Sequence, residues 1–267
     1  MQRAGQLVGD VPVLDARANS LSRRYAQLLE GHHPVTVFLS AAILGYLCLA
    51  GLTVGFGFFI TKVLLSIGGV AHADGHFVTW LVSHRTSGRT EASLIGSIVA
   101  GGVVLPIVVG VAAVAFACVR KWRVAAFLIA AIGVEAATYR LTIAFVHRNR
   151  PDVHRLEHLQ VNASYYSGHT AASIAVYAGL ALVLTSMFRS RAFAAVCWTL
   201  AIMLPPYVAM ARMYRGMHHP TDSATGVLVG IGCLLVALFA ARASECAARS
   251  RRTARELRDA RASGARA

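Results

Sequence analysis

Long apolar stretches alternate with short polar segments over most of the chain. Six of the apolar stretches are long enough for a helix that crosses a bilayer, which takes about 20 residues. They run over 34–60, 92–119, 124–146, 169–188, 192–210 and 220–241. Each is expected to be helical, because an unpaired backbone amide in hydrocarbon costs several kcal/mol. The pattern therefore predicts an all-α, polytopic membrane protein with six spans.

The polar segments divide the chain into three regions. Residues 1–33 are polar and lack the early apolar core of a cleavable signal, so targeting is expected to rest on the first span. Residues 34–241 form the six-span membrane domain. Residues 242–267 form a basic tail, expected to be a helical or disordered segment at the membrane surface. No separate globular domain is predicted.

The segment between the first two spans, 62–90, has two interpretations. It contains Phe77, Trp80 and Leu81, and aromatic side chains are common at headgroup depth. It is either an interfacial helix beside a functional site or a loop on the membrane surface. The pattern leaves both open.

Composition supports a membrane protein. Hydrophobic residues make up 56% of the chain and charged residues 14%, whereas a soluble domain carries roughly 25% charged residues. The five cysteines are scattered without CxxC spacing, so neither a disulfide framework nor a zinc site is indicated. His154 and His158 have a spacing that could hold zinc on one helix face, but no nearby residues complete such a site.

The net charge of +14 raises the question of nucleic-acid binding, and the distribution of the charge argues against it. Eight arginines lie between Arg242 and Arg266, and four precede the first span. Basic residues that flank spans are expected on the cytoplasmic side, beside anionic headgroups. With both termini inside, the inner segments carry seventeen Lys and Arg residues and the outer ones eight. The count predicts cytoplasmic termini and membrane lipids as partners, without nucleic acid. It leaves the oligomeric state undetermined.

Three short segments at the outer ends of spans combine histidines with arginines. They are residues 146–151, 166–169 and 212–222. In the second segment, Ser167 is a suitable helix cap and Gly168 lets the backbone approach a ligand closely. The free amides of such a helix end bind anions, and Arg150 and Arg212 supply forked donors that match phosphate oxygens.

The third segment can supply a nucleophile. Asp222 falls in the first turn of the sixth helix, and His218 lies four residues before it, within reach of the carboxylate. A carboxylate on one imidazole nitrogen leaves the other free to attack phosphorus. His169 can then protonate the departing alkoxide. His219 is the rival nucleophile, but the spacing to Asp222 favours His218. These groups suffice for phosphoryl transfer without a metal or cofactor.

The three segments resemble the signature motifs of the type 2 phosphatidic acid phosphatase superfamily. That family includes bacterial undecaprenyl-pyrophosphate and phosphatidylglycerophosphate phosphatases and vanadium haloperoxidases. Its pattern is Lys-x6-Arg-Pro, Pro-Ser-Gly-His and Ser-Arg-x5-His-x3-Asp. The matching residues are Arg150-Pro151, Ser167-Gly168-His169, and Arg212, His218 and Asp222.

The resemblance implies a six-helix bundle with an active site at the extracytoplasmic surface. By the same resemblance, His218 forms a phosphohistidine and Asp222 orients it, while His169 is the general acid. The phosphate cradle would consist of Arg150, Ser167, Gly168 and Arg212. The substrate would be a lipid-linked phosphate or pyrophosphate.

Three residues depart from the family pattern. Ile143 stands at the lysine position, Tyr166 replaces the proline, and Ala211 replaces the serine. Losing the lysine removes a charge-assisted contact worth about 1.5–3 kcal/mol. Arg140 or Arg148 is expected to compensate.

Two further functions remain open at this point. One is a phosphotransferase that uses the same histidines and passes the phosphate or headgroup to an alcohol. The other is a catalytically weakened lipid-binding or transport protein, for which Ile143 is the main argument. Neither the motifs nor the spans identify the lipid: polyprenyl pyrophosphates, phosphatidic acid and phosphatidylglycerophosphate are all candidates.

Overall fold

The computed structural model describes residues 11–157, 162–188 and 190–264. Across these ranges the chain is helical and holds no strand. Its α-helices are α1 (Leu21–Leu28), α2 (Pro34–Lys62), α3 (Val70–Ser83), α4 (Ser87–Val99), α5 (Val104–Cys118), α6 (Trp122–Phe145), α7 (Gly168–Met187), α8 (Arg191–Tyr214) and α9 (Pro220–Gly264). A π-helical turn, Ile174–Ala178, lies within α7. The predicted all-α class is confirmed.

The helices account for every predicted span. Five of them, α2 and α6 to α9, are long and apolar enough to cross a membrane. Helices α4 and α5 meet the same criteria together, with a bend of 43° between them. The bend coincides with Gly101 and Gly102, and glycines are frequent at such breaks. With this broken pair counted as one span the total is six, so the multi-pass membrane fold is confirmed.

Helices α7 and α9 approach each other closely at their N-terminal ends because two glycines line the contact. A Cβ atom at Gly226 would lie 2.6 Å from the carbonyl oxygen of Ser167, and one at Gly230 would lie 2.6 Å from that of Ala171. Small residues allow this approach of helix backbones in membrane bundles. The contact holds the beginning of α7 directly against the beginning of α9.

Helix α9 continues without interruption past residue 241, where the sequence predicts the end of the membrane domain. Ala243 and Ala247 are buried in a cluster with side chains of α2. Glu245 pairs with Arg123 at 3.0 Å, and Asp15 pairs with the same guanidinium at 3.2 Å. The N-terminal segment and the C-terminal part of α9 therefore pack together at one end of the bundle. The division of the chain at residue 241 stays a prediction.

The segment 62–90 lies at the opposite end of the bundle and is largely helical. Its helix α3 packs through Leu81 against Met213 and Tyr214 at the end of α8. The same helix buries Asp74, which accepts a hydrogen bond from the backbone of Thr221 at 3.0 Å. Of the two interpretations of this segment, the surface loop is wrong.

Candidate active site

The three segments singled out in the sequence converge at the end of the bundle away from the chain termini. The Ser164 amide donates to the carbonyl oxygen of Arg148 at 2.8 Å, and the Ser167 amide donates to that of Asp222 at 3.1 Å. The Arg150 guanidinium donates to the carbonyl oxygen of Met217 at 2.6 Å. Backbone groups thus tie each segment to another. One cluster results, as the sequence predicts.

Within the described part of the chain, the His218 side chain makes one hydrogen bond in this cluster. Its Nδ1 lies 2.7 Å from the carbonyl oxygen of Ser164, and the residue is 2% exposed. A carbonyl oxygen only accepts hydrogen bonds, so Nδ1 must carry the proton. The neutral ring therefore keeps its lone pair on Nε2, the nitrogen that could attack phosphorus.

The surroundings of His218 favour this neutral form. Burial is the main cause that lowers its pKa well below the usual value, and the nearby charges of Arg212 and Arg150 act in the same direction. The carboxylate of Asp222 opposes them. The imidazole of His218 is consequently a neutral base at physiological pH.

Asp222 makes no hydrogen bond or ion pair with the His218 ring, which corrects the predicted role of the carboxylate. Its Oδ2 accepts hydrogen bonds from the backbone amide of His219 at 2.9 Å, from the ring of His219 at 3.1 Å and from the Ser164 hydroxyl. Asp222 is the third residue of α9, and a side chain at that position reaches back to the amide that precedes the helix. This local capping geometry directs the carboxylate away from His218. The hydrogen bonds of Asp222 reach His218 only indirectly, through Ser164 and the backbone at His219.

Arg148 joins Asp222 to a second carboxylate that sequence reasoning missed. One end of its guanidinium contacts Asp222, and the other contacts Asp74 of α3. Asp74 also accepts a hydrogen bond from the Thr221 hydroxyl at 2.7 Å. All three charged side chains are 8% exposed or less. Arg148 is therefore committed to two buried carboxylates.

Arg140, the other cation expected to compensate for the missing lysine, lies elsewhere. It is exposed on α6 and, among the described residues, makes no ion pair. Ile143 is half-buried on the same helix. Neither Arg140 nor Arg148 therefore lies in the cluster as an unpaired cation that could replace the missing lysine.

Arg150 and Arg212 lie in the cluster as predicted, and both keep unused donors. Each side chain is buried, and the Nε of each has no partner among the described residues. A buried donor without a partner is rare in a folded protein and often marks a place for a ligand or water. Guanidinium donors fit phosphate oxygens in pairs. The two arginines are thus suited to hold an anion.

A third buried arginine and a glutamate complete this side of the cluster, and neither was anticipated from the motifs. Arg215 Nε lies 2.5 Å from Glu157 Oε1, and Arg212 Nη1 lies 2.6 Å from Glu157 Oε2. Burial raises the pKa of Glu157, but the charge and hydrogen bonds of Arg212, with those from Ser97 and Arg215, outweigh it and lower the pKa to about 2. Glu157 is therefore ionised throughout the physiological range. Arg215 supplies a further cation beside Arg212.

The residues that open α7 occupy the predicted positions with one difference in detail. Ser167 is the N-cap of the helix, but its hydroxyl pairs with that of Thr170 at 2.9 Å rather than with a backbone amide. Gly168 faces Tyr139, whose ring would lie 3.1 Å from a Cβ atom at that position. His169 follows, partly buried. Because Gly168 has no side chain, the first turn of α7 can pack directly against Tyr139 of α6.

The histidine pair considered for zinc is described only in part. His154 is exposed, whereas His158 lies outside the described residues. Within the ranges that the structure covers, there is no cluster of three or more His, Cys, Asp or Glu side chains that could hold a metal ion.

Comparisons with known proteins agree with this fold. Residues 123–244 match the model of the PAP2 superfamily. A solved structure of a transmembrane PAP2 type phosphatidylglycerolphosphate phosphatase from Bacillus subtilis is similar, with a TM-score of 0.60 and 21% identity. The similarity covers 76% of this chain and 93% of that one. No curated protein matches the chain. At this identity the structural match shows the fold.

Proposed function

The chain belongs to the PAP2 superfamily through residues 123–244, and on this premise we propose that it is a membrane-embedded phosphatase for lipid-linked phosphate or pyrophosphate. The observation that carries the proposal is the state of His218. The ring is buried, its Nδ1 proton is held by the Ser164 carbonyl, and its Nε2 is left as a nucleophile beside buried arginines.

The reaction would proceed in two steps. In the first, His218 Nε2 attacks phosphorus, and the bond from phosphorus to the bridging oxygen breaks with its electron pair on that oxygen. His169, whose protonated form is favoured once the anionic phosphate is bound beside it, donates the proton that the leaving oxygen needs. In the second step, water attacks the phosphohistidine while His169 takes up a proton. The phosphorus–nitrogen bond breaks, so phosphate leaves and His218 returns to its neutral form.

The arginines would stabilise the charge that develops during transfer. Among the described residues, the Nε donors of Arg150 and Arg212 have no partner, and fixed donors aimed at a transferring phosphoryl group provide much of the catalysis in such reactions. Arg215 adds a positive charge next to Arg212. Unlike Arg148, which two carboxylates hold, Arg215 shares the single carboxylate of Glu157 with Arg212, so these three groups keep a net positive charge. Arg215 would therefore take the role expected of Arg140 or Arg148 and offset the loss of the motif lysine at Ile143.

The active site would open on the extracytoplasmic face. Seventeen of the lysines and arginines fall on the side that carries both termini, and eight fall on the other, which favours cytoplasmic termini. The His218 cluster lies at the bundle end opposite to Arg123 and Glu245, which pack with the N-terminal segment. The headgroup would enter from outside while the acyl or prenyl chain stays among the helices.

Phosphate release from a panel of lipids tests the proposal. Phosphatidic acid, phosphatidylglycerophosphate and undecaprenyl pyrophosphate would each be presented in detergent, with and without a chelator. The wild-type protein should turn over at least one of them in both conditions, and His218→Ala should abolish turnover. His147→Ala is the matched control, since that histidine lies in the first segment but is exposed and has no role in the proposed reaction, so the variant should keep activity. Full turnover by His218→Ala would reject the proposal.

A further inference from the structure

Glu157 lies where its carboxylate bridges two buried arginines. Oε2 contacts Arg212 Nη1 at 2.6 Å, and Oε1 contacts Arg215 Nε at 2.5 Å. Oε1 also accepts a hydrogen bond from the Ser97 hydroxyl at 2.8 Å. Two guanidinium groups and a hydroxyl around two anionic oxygens are the surroundings that also suit a phosphoryl group.

The carboxylate is the most accessible member of this group. The Glu157 side chain is 23% exposed, whereas that of Arg212 is 1% exposed and that of Arg215 is 7% exposed. Glu157 comes from the loop after α6, whereas Arg212 lies in the last turn of α8 and Arg215 directly follows that helix. A ligand that approaches the arginines from solvent would therefore meet the carboxylate first. Withdrawing one loop side chain would free donors on both arginines.

The other arginines of the cluster differ in how they are paired. Arg148 is held by Asp74 and Asp222, both 3% exposed or less, so its partners are fixed within the bundle. Arg150 donates to a backbone carbonyl and pairs with no carboxylate among the described residues. Of the carboxylates in the cluster, Glu157 alone, within the described part of the chain, combines contact to a phosphate-binding candidate with access to solvent.

We propose that Glu157 is a built-in competitor for the phosphate cradle, which the phosphoryl group of the substrate displaces from Arg212 and Arg215. The inference rests on the proposed function, because it takes Arg212 as a phosphate ligand. In such a competition, only the fraction of molecules in which Glu157 has left the arginines can bind phosphate. The affinity for every phosphate ligand is therefore reduced by the same factor. The competition weakens the binding of the product phosphate as well as that of the substrate. When Glu157 returns to the arginines, it therefore assists the release of phosphate.

Competition and positioning predict opposite results when the charge is removed. If Glu157 competes, the neutral side chain of Glu157→Gln frees the arginines, and phosphate binds more tightly. If Glu157 instead holds the arginines in place, the same change weakens phosphate binding. The inhibition constant for inorganic phosphate separates the two, since phosphate needs the cradle but no lipid contact.

The experiment uses the full chain in detergent and two variants. Asp152→Asn is the matched control, because Asp152 is an exposed carboxylate in the same loop and, in the described residues, forms no ion pair. In Glu157→Gln the inhibition constant for inorganic phosphate should fall about tenfold, which corresponds to one charge-assisted contact. KM should fall in parallel while kcat stays within about a factor of two. Asp152→Asn should match the wild type.

An unchanged or higher inhibition constant in Glu157→Gln would overturn the inference. Thermal stabilisation by inorganic phosphate gives a second reading that needs no turnover: the shift should be larger in Glu157→Gln than in the wild type. If the wild type hydrolyses no lipid, the proposed function fails while the thermal shift still reports on Glu157. If Glu157→Gln does not fold, Glu157→Asp keeps the charge but shortens the side chain, and its inhibition constant should fall by a smaller factor. No fall there would also overturn the inference.

Discussion

The Nδ1 of His218 donates a 2.7 Å hydrogen bond to the carbonyl oxygen of Ser164. This contact, rather than one to Asp222, determines which nitrogen of the ring is free. The acceptor belongs to the backbone just before α7, which the Ser164 hydroxyl and amide in turn fix to Asp222 and Arg148. The orientation of the candidate nucleophile thus depends on how the loop before α7 sits against the ends of α6 and α9.

The burial of His218 predicts a loss of stability in mild acid. Its pKa is lowered in the folded protein, so between the usual value near 6.5 and the folded value the unfolded chain binds more protons than the folded one. Stability is therefore complete above about pH 6.5 and falls as the pH decreases through this window. Thermal unfolding of the wild type should show a larger fall between about pH 7.5 and 5 than that of His218→Asn, which lacks the titrating ring. Parallel curves would contradict the assignment of a buried neutral ring.

Asp74 is predicted to act as a positioning residue through Arg148. In Asp74→Asn the guanidinium loses one of its two buried carboxylates, and breaking a buried pair costs about 3–5 kcal/mol. The helix α3 should detach from Thr221, and kcat should fall with little change in KM, because Asp74 touches no proposed phosphate ligand. Chemical or thermal unfolding and steady-state kinetics would be measured together.

Glu91→Gln provides the control for the Asp74 variant. Glu91 is an exposed carboxylate on the neighbouring helix α4, so losing its charge should change stability by no more than about 0.5 kcal/mol. Equal stability of Asp74→Asn and Glu91→Gln would show that the contact to Arg148 is dispensable.

The close packing of α7 against α9 predicts a sharp effect at Gly226. In Gly226→Ala the added Cβ would lie 2.6 Å from the Ser167 carbonyl, a backbone atom, so the two helix ends must separate. Overpacking of this kind costs about 1–3 kcal/mol. It should also lower kcat, because Ser167 precedes Gly168 and His169 directly. Activity and melting temperature are the readouts.

Gly133→Ala is the counterpart, since a Cβ at this helical position meets nothing within 4 Å. Alanine is favoured over glycine in a helix interior by roughly 1 kcal/mol. The variant should therefore be as stable as the wild type or slightly more so. If Gly226→Ala behaved in the same way, the tight contact between α7 and α9 would not exist.

The spans and the convergence of the three motifs were predictable because both depend on local features. The length of an apolar stretch decides whether it can cross a bilayer. When six such helices follow one another, every second connection between them lies at the same end of the bundle. That arrangement and the motif spacing together predict the site. Ser167 and His169 open α7 and Arg212 lies in the last turn of α8, whereas Arg150 and His218 lie in the connections beside these helix ends.

The partners of these side chains were less predictable because they depend on tertiary contacts. The acceptor for His218 is a backbone carbonyl, and since every residue has one, the amino-acid sequence does not indicate which carbonyl it is. Asp74 comes from a helix more than 70 residues before Arg148, and Glu157 belongs to no motif. The predicted pairing of Asp222 with His218 was wrong because a carboxylate in the first helical turn has a nearer donor, the amide of His219.

A covalent phosphate on His218 during turnover would be direct evidence that this residue is the nucleophile. Wild-type protein would be mixed with a radiolabelled lipid phosphate, quenched in alkali within the first turnovers, and digested for mass spectrometry. If His218 is the nucleophile, an acid-labile, alkali-stable phosphate should be found on Nε2 of His218 and should be absent from His218→Ala. A phosphate found instead on His219 or on another side chain, with His218 unmodified, would contradict this assignment.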